Sequence, residues 1–469
     1  MAPTNTPKKD FHIAVCGGGI GGLFMAIGLL HQNIPCTIYE AAHAFAEIGA
    51  GVSFGPNAVR AMSLIDPEIK RGYDEIATSN AFPEKKKFWF DFNLGQREDG
   101  WKDLKAPGKE GERIAQVVAG DTGQSSVHRA HFLDKLVKLV PEVSVLLDAH
   151  DLVRRKRDCE TPALGEFIGN FADIKAQGVA KFGKRVESVE KVGKKMRLTF
   201  HDGSTAEADA VIGCDGVKSR TRQILLGKHH KYTNPRFTGK YAYRGLIPME
   251  KAAKALGDDL ARNSQMYMGR HGHVLTFPIE GGKTMNVVAF QTKMDGKWEN
   301  KKWVLPMKKE ELSNDFRSWG QNVQRILSLM EKPDVWALFD HPPAPTYYQG
   351  RLAILGDAAH ASTPHQGAGA GQAIEDAFVL SNLLGQVKSA NGIEKAFHAY
   401  DAVRRPRSQK VVKTSRDAAA IYEFEDENLG TDLDKIRRRL EERYDWIWNE
   451  DLPQQLRTAQ DIMGLKANL

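Results

Sequence analysis

The sequence predicts an α/β fold, and three strand-to-turn motifs predict it. The first is the apolar run His12-Ile13-Ala14-Val15-Cys16, which passes at once into Gly17-Gly18-Gly19-Ile20-Gly21-Gly22 and a buried helix from Leu23 to Gln32. The second is the run Ala210-Val211-Ile212-Gly213, followed by Cys214-Asp215-Gly216 and a basic helix start at Lys218-Ser219-Arg220. The third is the strand Arg351 to Leu355, ending in Gly356-Asp357, with small residues from Gly367 to Gly371 and a helix from Gln372. Short apolar strands alternating with helices across glycine turns read as a parallel sheet with helices on its faces.

The length of 469 residues points to two or three lobes rather than one domain. Lys+Arg 66 against Asp+Glu 59 leave a formal charge of +7 on a surface of mixed sign. The runs Lys85-Lys86-Lys87 and Arg437-Arg438-Arg439 have acidic neighbours and read as solvated faces. No zinc-finger or basic-zipper pattern accompanies them, so neither a nucleic-acid partner nor a metal site is expected. The four cysteines form no CxxC pair; Cys16, Cys36 and Cys214 lie in apolar runs, as buried thiols do in a reducing, cytoplasmic setting. Met1 to Asp10 is polar, without the apolar core of a signal peptide, and the Lys466 to Leu469 end is no peroxisomal tripeptide. No apolar run reaches the roughly 18 residues of a membrane span.

The first motif carries chemistry. Gly17 permits a tight turn, Gly19 lets backbone approach a pyrophosphate, and Gly22 allows close helix–strand packing. The free N–H groups of the helix start suit phosphates. Glu40 ends the next strand, Cys36 to Tyr39, about 20 residues further on, where an acid takes a ribose hydroxyl. The fingerprint predicts a dinucleotide and does not by itself separate FAD from NAD. In the third motif Gly367, Gly369 and Ala370 let backbone approach a flat ligand, and Asp357 is placed to accept from a ribityl hydroxyl.

In this order and spacing the G-x-G-x-x-G, D-G and G-D motifs resemble those of the class A aromatic flavoprotein monooxygenases. The resemblance implies a Rossmann-like FAD-binding domain of the para-hydroxybenzoate hydroxylase type, a largely antiparallel substrate-domain sheet and a helical C-terminal tail. It implies that the first motif holds the ADP half of FAD and the G-D motif the ribityl chain. Asp215 of the D-G motif would contact the pyrophosphate region and help admit NADH or NADPH, a transient reductant with no second fingerprint of its own. Gly49 to Ala61, which includes Gly51, is similar to the salicylate hydroxylase branch. So are Gly123 to Ala130, Gln265 to Gly269, Gly272 to Pro278, Asn286 to Phe290 and Tyr444 to Asn449. The likeness runs from His12 to about Leu456 and is strongest to fungal members. It implies hydroxylation of a phenolic acid with NAD(P)H and O2, above all salicylate to catechol with loss of carbon dioxide. Another phenolic acid, an aromatic polyketide, or an impaired flavin-binding protein remain alternatives.

Such a reaction needs a proton acceptor for the phenol, a cation for the carboxylate and dry walls. His365, beside the flavin-contacting glycines, is the expected acceptor. Arg244, in Ala242-Tyr243-Arg244-Gly245, is the expected anion partner. The resemblance places Arg129 near FAD. Phe277 stands where some polyketide hydroxylases carry a tyrosine, which favours the salicylate branch. His360 is read as either touching the cofactor or structural, and Trp446 and Trp448 as packing residues.

The cofactor domain is expected to be discontinuous, from 12–72, 115–226 and 347–386. The substrate sheet is expected from 83–103 and 231–346, and a helical region from 393–469, whose exposed helices leave a homodimer open. Val143 to Gln177, about 35 residues, interrupts the family pattern and is long for a loop in a compact domain. Its removal restores Pro-Glu-Gly-Val, and Val143-Ser144 and Ala176-Gln177 can be encoded by splice-site-like triplets. A retained intron and a genuine surface insertion are the two readings of it.

Overall fold

A computed structural model describes residues 8–45, 51–102, 104–140, 179–330 and 334–464. Segment 143–177, with the retained-intron reading, and Cys159 within it lie outside the described residues.

The central sheet has six strands. Ile13–Cys16 lies between Cys36–Tyr39 and Ala210–Gly213 and is parallel to both. Leu352–Ile354 continues the sheet in parallel beyond Ala210–Gly213. Tyr348–Gln349 closes that edge antiparallel, and Ala180–Lys181 closes the other. The core strands are buried along their whole length, as the unbroken apolar runs require of a sheet covered on both faces. Helix Ile20–His31 covers one part of it and packs on Gly369–Gln386.

Three neighbouring parallel strands therefore end on the same edge. Ile13–Cys16 leads to Gly17, Ala210–Gly213 to Asp215, and Leu352–Ile354 to Gly356-Asp357. The carboxyl edge of a parallel sheet is where such folds bind ligands.

The second sheet has eight strands, in the order Val304–Pro306, Asp334–Asp340, Arg236–Pro248, Thr284–Thr292, Gly272–Ile279, Gln265–Gly269, Phe88–Leu94, Arg113–Val118. All its pairs are antiparallel except Gln265–Gly269 with Phe88–Leu94. The expected start of a cofactor-domain piece near 115 thus falls inside a strand of this sheet. Ile114 and Val117 bury into the same apolar cluster as Phe92 and Leu94, so the chain stays with the sheet until Val118.

Other boundaries shift for similar reasons. The helix expected from Leu23 begins at Ile20, and the one expected from Gln372 begins at Gly369, because small residues pack as a first turn. The edge strand Ala180–Lys181 is short, since the chain turns at Gly183, whose N–H bonds to the Ala42 carbonyl.

The tail begins with a 30-residue helix, Ile393–Tyr422, followed by Leu433–Glu442, Asp445–Trp448 and Leu452–Ile462. Trp448 stacks on Tyr444 at 4.4 Å and meets Trp89 edge-on at 5.5 Å, which is packing, as expected. Lys85 departs from the solvated-face reading: it turns inward to Asp91 at 2.5 Å. Cys16 and Cys36 are buried free thiols and Cys214 is partly buried; burial pushes Cys36 up to about 12. No helix among the described residues is long and apolar enough to cross a membrane.

Candidate active site

One cavity of about 710 Å³ runs from the carboxyl edge of the parallel sheet to the face of the large sheet. Gly17, Gly19, Glu40, Gly51, Arg129, Asp215, Arg244, Asp357, His365, Gly367, Gly369 and Ala370 all line it. Residues as far apart in the chain as Gly17 and Ala370 are brought together this way because the three motif strands are neighbours in one sheet.

Gly22 lies behind the wall. A Cβ there would sit 1.9 Å from the Gly17 carbonyl oxygen, and one on Gly17, whose φ is +109°, would meet the Cys214 carbonyl oxygen at 2.4 Å. The first turn of helix Ile20–His31 can approach its strand only with hydrogen at both positions. Gly19 is the N-cap and supplies no side chain, and the first turn holds no acid. Helix Gly369–Gln386 likewise starts at Ala368 without a side-chain cap or a first-turn acid. Two helix starts with uncapped N–H groups thus meet one cavity, an arrangement that stabilises negative charge at two places. This fits the diphosphate and the ring system of FAD.

Glu40 accepts the Gly18 N–H at 2.6 Å and the Ala42 N–H at 2.7 Å. A carboxylate has further lone pairs, so it can still take a ribose hydroxyl. Asp215 lines the cavity and is held by its own helix start. Its Oδ1 accepts from Ser219 Oγ and Thr221 Oγ1, both at 2.6 Å, and its Oδ2 accepts from the Arg220 and Thr221 N–H groups at 2.7 and 2.9 Å. Those bonds build the start of helix Arg220–Leu226, so the carboxylate shapes the wall, and its own helix start saturates its acceptor sites.

Asp357 begins a one-turn helix, Asp357–His360, held from behind. Asp376 accepts the Gly356 N–H at 3.0 Å and pairs with His360 Nε2 at 2.6 Å. Buried Arg222 donates to the carbonyls of Ala358 and Ala359 at 3.1 and 2.6 Å. Of the two readings of His360, the structural one matches this pairing. Arg404 and Arg407, fully or almost fully buried, bind Glu375, and Arg404 also binds Asp376.

Beyond the Gly367 turn the cavity becomes apolar and aromatic, with Trp89, Phe90, Met266, Leu275, Phe277 and Phe290. Arg244 enters it from strand Arg236–Pro248, its guanidinium 4.8 Å from the Trp336 ring centre. Burial and the neighbouring Arg129 lower it to about 10, so it stays cationic at neutral pH. His365 is buried, and burial followed by the neighbouring His273 holds it well below the usual imidazole value. Its Nε2 has no hydrogen-bond partner among the described residues. Its Nδ1 lies 3.4 Å from His273 Nε2, and His273 Nδ1 lies 2.9 Å from Glu423 Oε1.

Sequence reading passes over His273 and Glu423, as it does Trp89 and Trp336. Nothing local distinguishes a histidine in a strand or a glutamate closing a helix; only the meeting of Gly272–Ile279 with the end of Ile393–Tyr422 makes them a set.

A dinucleotide cradle opening onto a dry aromatic chamber, with a cation and a neutral imidazole on its walls, defines an FAD-dependent monooxygenase. The chain belongs to that family: the FAD binding domain model matches residues 172–415. It is 43% identical to a 6-methylsalicylate 1-monooxygenase of Aspergillus terreus over 96% of this chain and 92% of that one. It is 36% identical to a salicylate hydroxylase of Pseudomonas putida over 100% and 98%. A solved salicylate hydroxylase–substrate complex superposes with a TM-score of 0.78 at 35% identity, covering 96% of this chain and 98% of the other. The protein is thus a flavoenzyme of the salicylate hydroxylase type, with FAD as its cofactor.

Proposed function

We propose that the protein converts salicylate to catechol, using NADH or NADPH and O2 in a reducing, cytoplasmic setting. Bound FAD supplies the activated oxygen. The cofactor unit of the reading is 12–72, 115–226 and 347–386, less the strand that ends at Val118. In it the Ile20 helix start would hold the diphosphate, Glu40 the ribose, Asp357 the ribityl chain, and Gly51, Gly367, Gly369 and Ala370 the ring system.

The observation that carries the reading is the shared placement of Arg244 and His365 on one apolar chamber. Arg244 binds the carboxylate and orients the ring. His365 Nε2 takes the phenolic proton, which raises electron density at the carbon bearing the carboxylate. One oxygen atom bonds to that carbon, and the bond to the carboxyl group breaks to release carbon dioxide. The other oxygen atom leaves as water, and the two electrons come from the nicotinamide. The aromatic wall excludes water, which would otherwise protonate the phenolate and weaken the Arg244 contact.

The name of the Aspergillus relative favours a second reading, in which the ring carries an additional methyl group, as in 6-methylsalicylate. Following NADH and NADPH oxidation with each acid while assaying the catechol separates the two. Stimulation with near-equal catechol from salicylate supports the first reading. Preference for the methylated acid supports the second. Stimulation without a catechol from either places the true substrate elsewhere among phenols.

A further inference from the structure

Behind His365 a line of hydrogen-bonding groups leads away from the cavity. His365 Nδ1 is 3.4 Å from His273 Nε2, and His273 Nδ1 is 2.9 Å from Glu423 Oε1. All three residues are buried. The other Glu423 oxygen binds the Lys240 ammonium and lies 2.8 Å from Thr292 Oγ1. Lys240 continues to Glu425 at 2.8 Å, and Glu425 to the part-exposed His271 at 2.9 Å. The His273 ring is stacked on Phe290 at 4.2 Å with 11° between planes, and Tyr422 meets its edge at 5.3 Å, so the ring is fixed in place.

The chemistry of these groups orders their protons. Glu423 is a carboxylate: burial would raise it, but the His273 hydrogen bond and the Lys240 charge outweigh burial and hold it at about 2. A carboxylate only accepts, so His273 carries its proton on Nδ1 and presents a bare Nε2. His365 then carries its proton on Nδ1, and its Nε2, which meets no hydrogen-bond partner among the described residues, is bare. The same cluster would suit a metal ion by residue type, but His273 Nδ1 and the Lys240 ammonium each take one of the two Glu423 oxygens.

We propose that Glu423 and His273 are positioning residues that make His365 a base, a Glu–His–His relay that fixes both ring tautomers and takes up the charge when the phenol is deprotonated. This rests on the reading of His365 as the proton acceptor. The phenolic O–H breaks, the proton joins His365 Nε2, and the Nδ1 proton shifts towards His273 Nε2. The positive charge comes to rest beside the Glu423 carboxylate. The charged and titratable groups that His365 meets are His273, Glu423, Lys240 and Arg443, and those that His273 meets are His365, Glu423, Lys240, Glu425 and Tyr422.

The test compares wild type, Glu423→Gln, Glu423→Asp and His365→Ala, with salicylate and 6-methylsalicylate as probes, and records histidine-selective 15N spectra. The relay predicts that Glu423→Gln keeps its FAD and its KM. Its kcat should fall on the order of 10²-fold. The acid limb of its kcat profile should move to lower pH, because the base has lost the anion that stabilises its protonated form, and Glu423→Asp should recover part of the rate. Wild-type kcat and pH profile in Glu423→Gln, with His365→Ala inactive, would overturn the relay and leave the base intact. If neither acid is turned over by wild type, the reading of the substrate fails, while the spectra still decide the relay. Wild-type His273 and His365 both protonated at Nδ1 support it, and Nε2 protonation of either overturns it. The wild-type spectrum needs no variant to fold.

Discussion

The carboxylate of Asp376 accepts the backbone N–H of Gly356 at 3.0 Å, which ties the turn presenting Asp357 to the helix behind it. The same carboxylate holds His360 Nε2 at 2.6 Å and Arg404 Nε at 2.8 Å, and it is fully buried. Asp376→Asn should therefore lower both stability and flavin content. Arg404 keeps Glu375, so the loss is that of charge-assisted hydrogen bonds, about 2 kcal/mol. Urea midpoints and the flavin absorbance ratio measure the two effects; an unchanged midpoint would refute the structural role.

Asp357 itself lines the cavity at the end of the third motif strand. Asp357→Ala should lose flavin on gel filtration while its apoprotein unfolds within about 0.5 kcal/mol of the wild-type apoprotein, as surface-like substitutions do. A fully yellow Asp357→Ala protein would remove it from the cofactor contacts.

His365→Ala should act on rate and coupling rather than on FAD retention. Loss of a general base lowers turnover on the order of 10²-fold or more. Stopped-flow reduction and product yield per NADH consumed separate this from a cofactor defect. Wild-type turnover and yield would exclude His365 as the base.

Arg244→Gln should weaken binding of the carboxylate. Losing one charge-assisted hydrogen bond costs about 2 kcal/mol, or roughly 30-fold in affinity. Titration of salicylate against the flavin spectrum reads the dissociation constant directly; a shift below about threefold would place the anion elsewhere in the chamber.

His341 makes stability depend on pH. Burial, then Arg222 and His360, lower it to about 3. Its pKa is depressed in the fold, so below the ordinary value near 6.5 the unfolded chain takes up a proton that the folded chain refuses. Stability then falls by about 1.4 kcal/mol per pH unit between about 6.5 and 3. Buried His273 and His365, also depressed, act in the same direction. Asp376 and Glu423, both held at about 2, contribute stability that persists above the unfolded carboxylate range and is lost only as pH drops through it. A loss between pH 6.5 and 5 is therefore histidine-borne. Urea midpoints at several pH values should fall across that window, and His341→Gln should flatten the fall.

The local parts of the cradle are legible in sequence because their causes are local. Gly17 and Gly22 must lack a side chain wherever a strand turns this tightly into a helix, and the turn is written in consecutive residues. The same holds for the small residues from Gly367 to Gly371 and for Asp357 at its strand end. The family resemblance extends this reading to Arg129 and Gly51, which share no local pattern with the glycine turns.

Tertiary structure alone decided what the motifs share. Parallel strand order puts Gly17, Asp215 and Gly356 on one edge, and nothing in the spacing of those residues states that order. It also shows what holds Asp215, whose four acceptor bonds return to its own helix start. The set of His365, His273 and Glu423 belongs wholly to tertiary structure. A proton's path depends on hydrogen-bond distances of about 3 Å, and those arise only where a loop, a strand and a helix end pack together. The sequence by itself determined the turn chemistry and the dinucleotide class it suits, because backbone conformation is set by neighbours in the chain. The placement of the proton on His365 depends on partners remote in the chain, and folding alone places them.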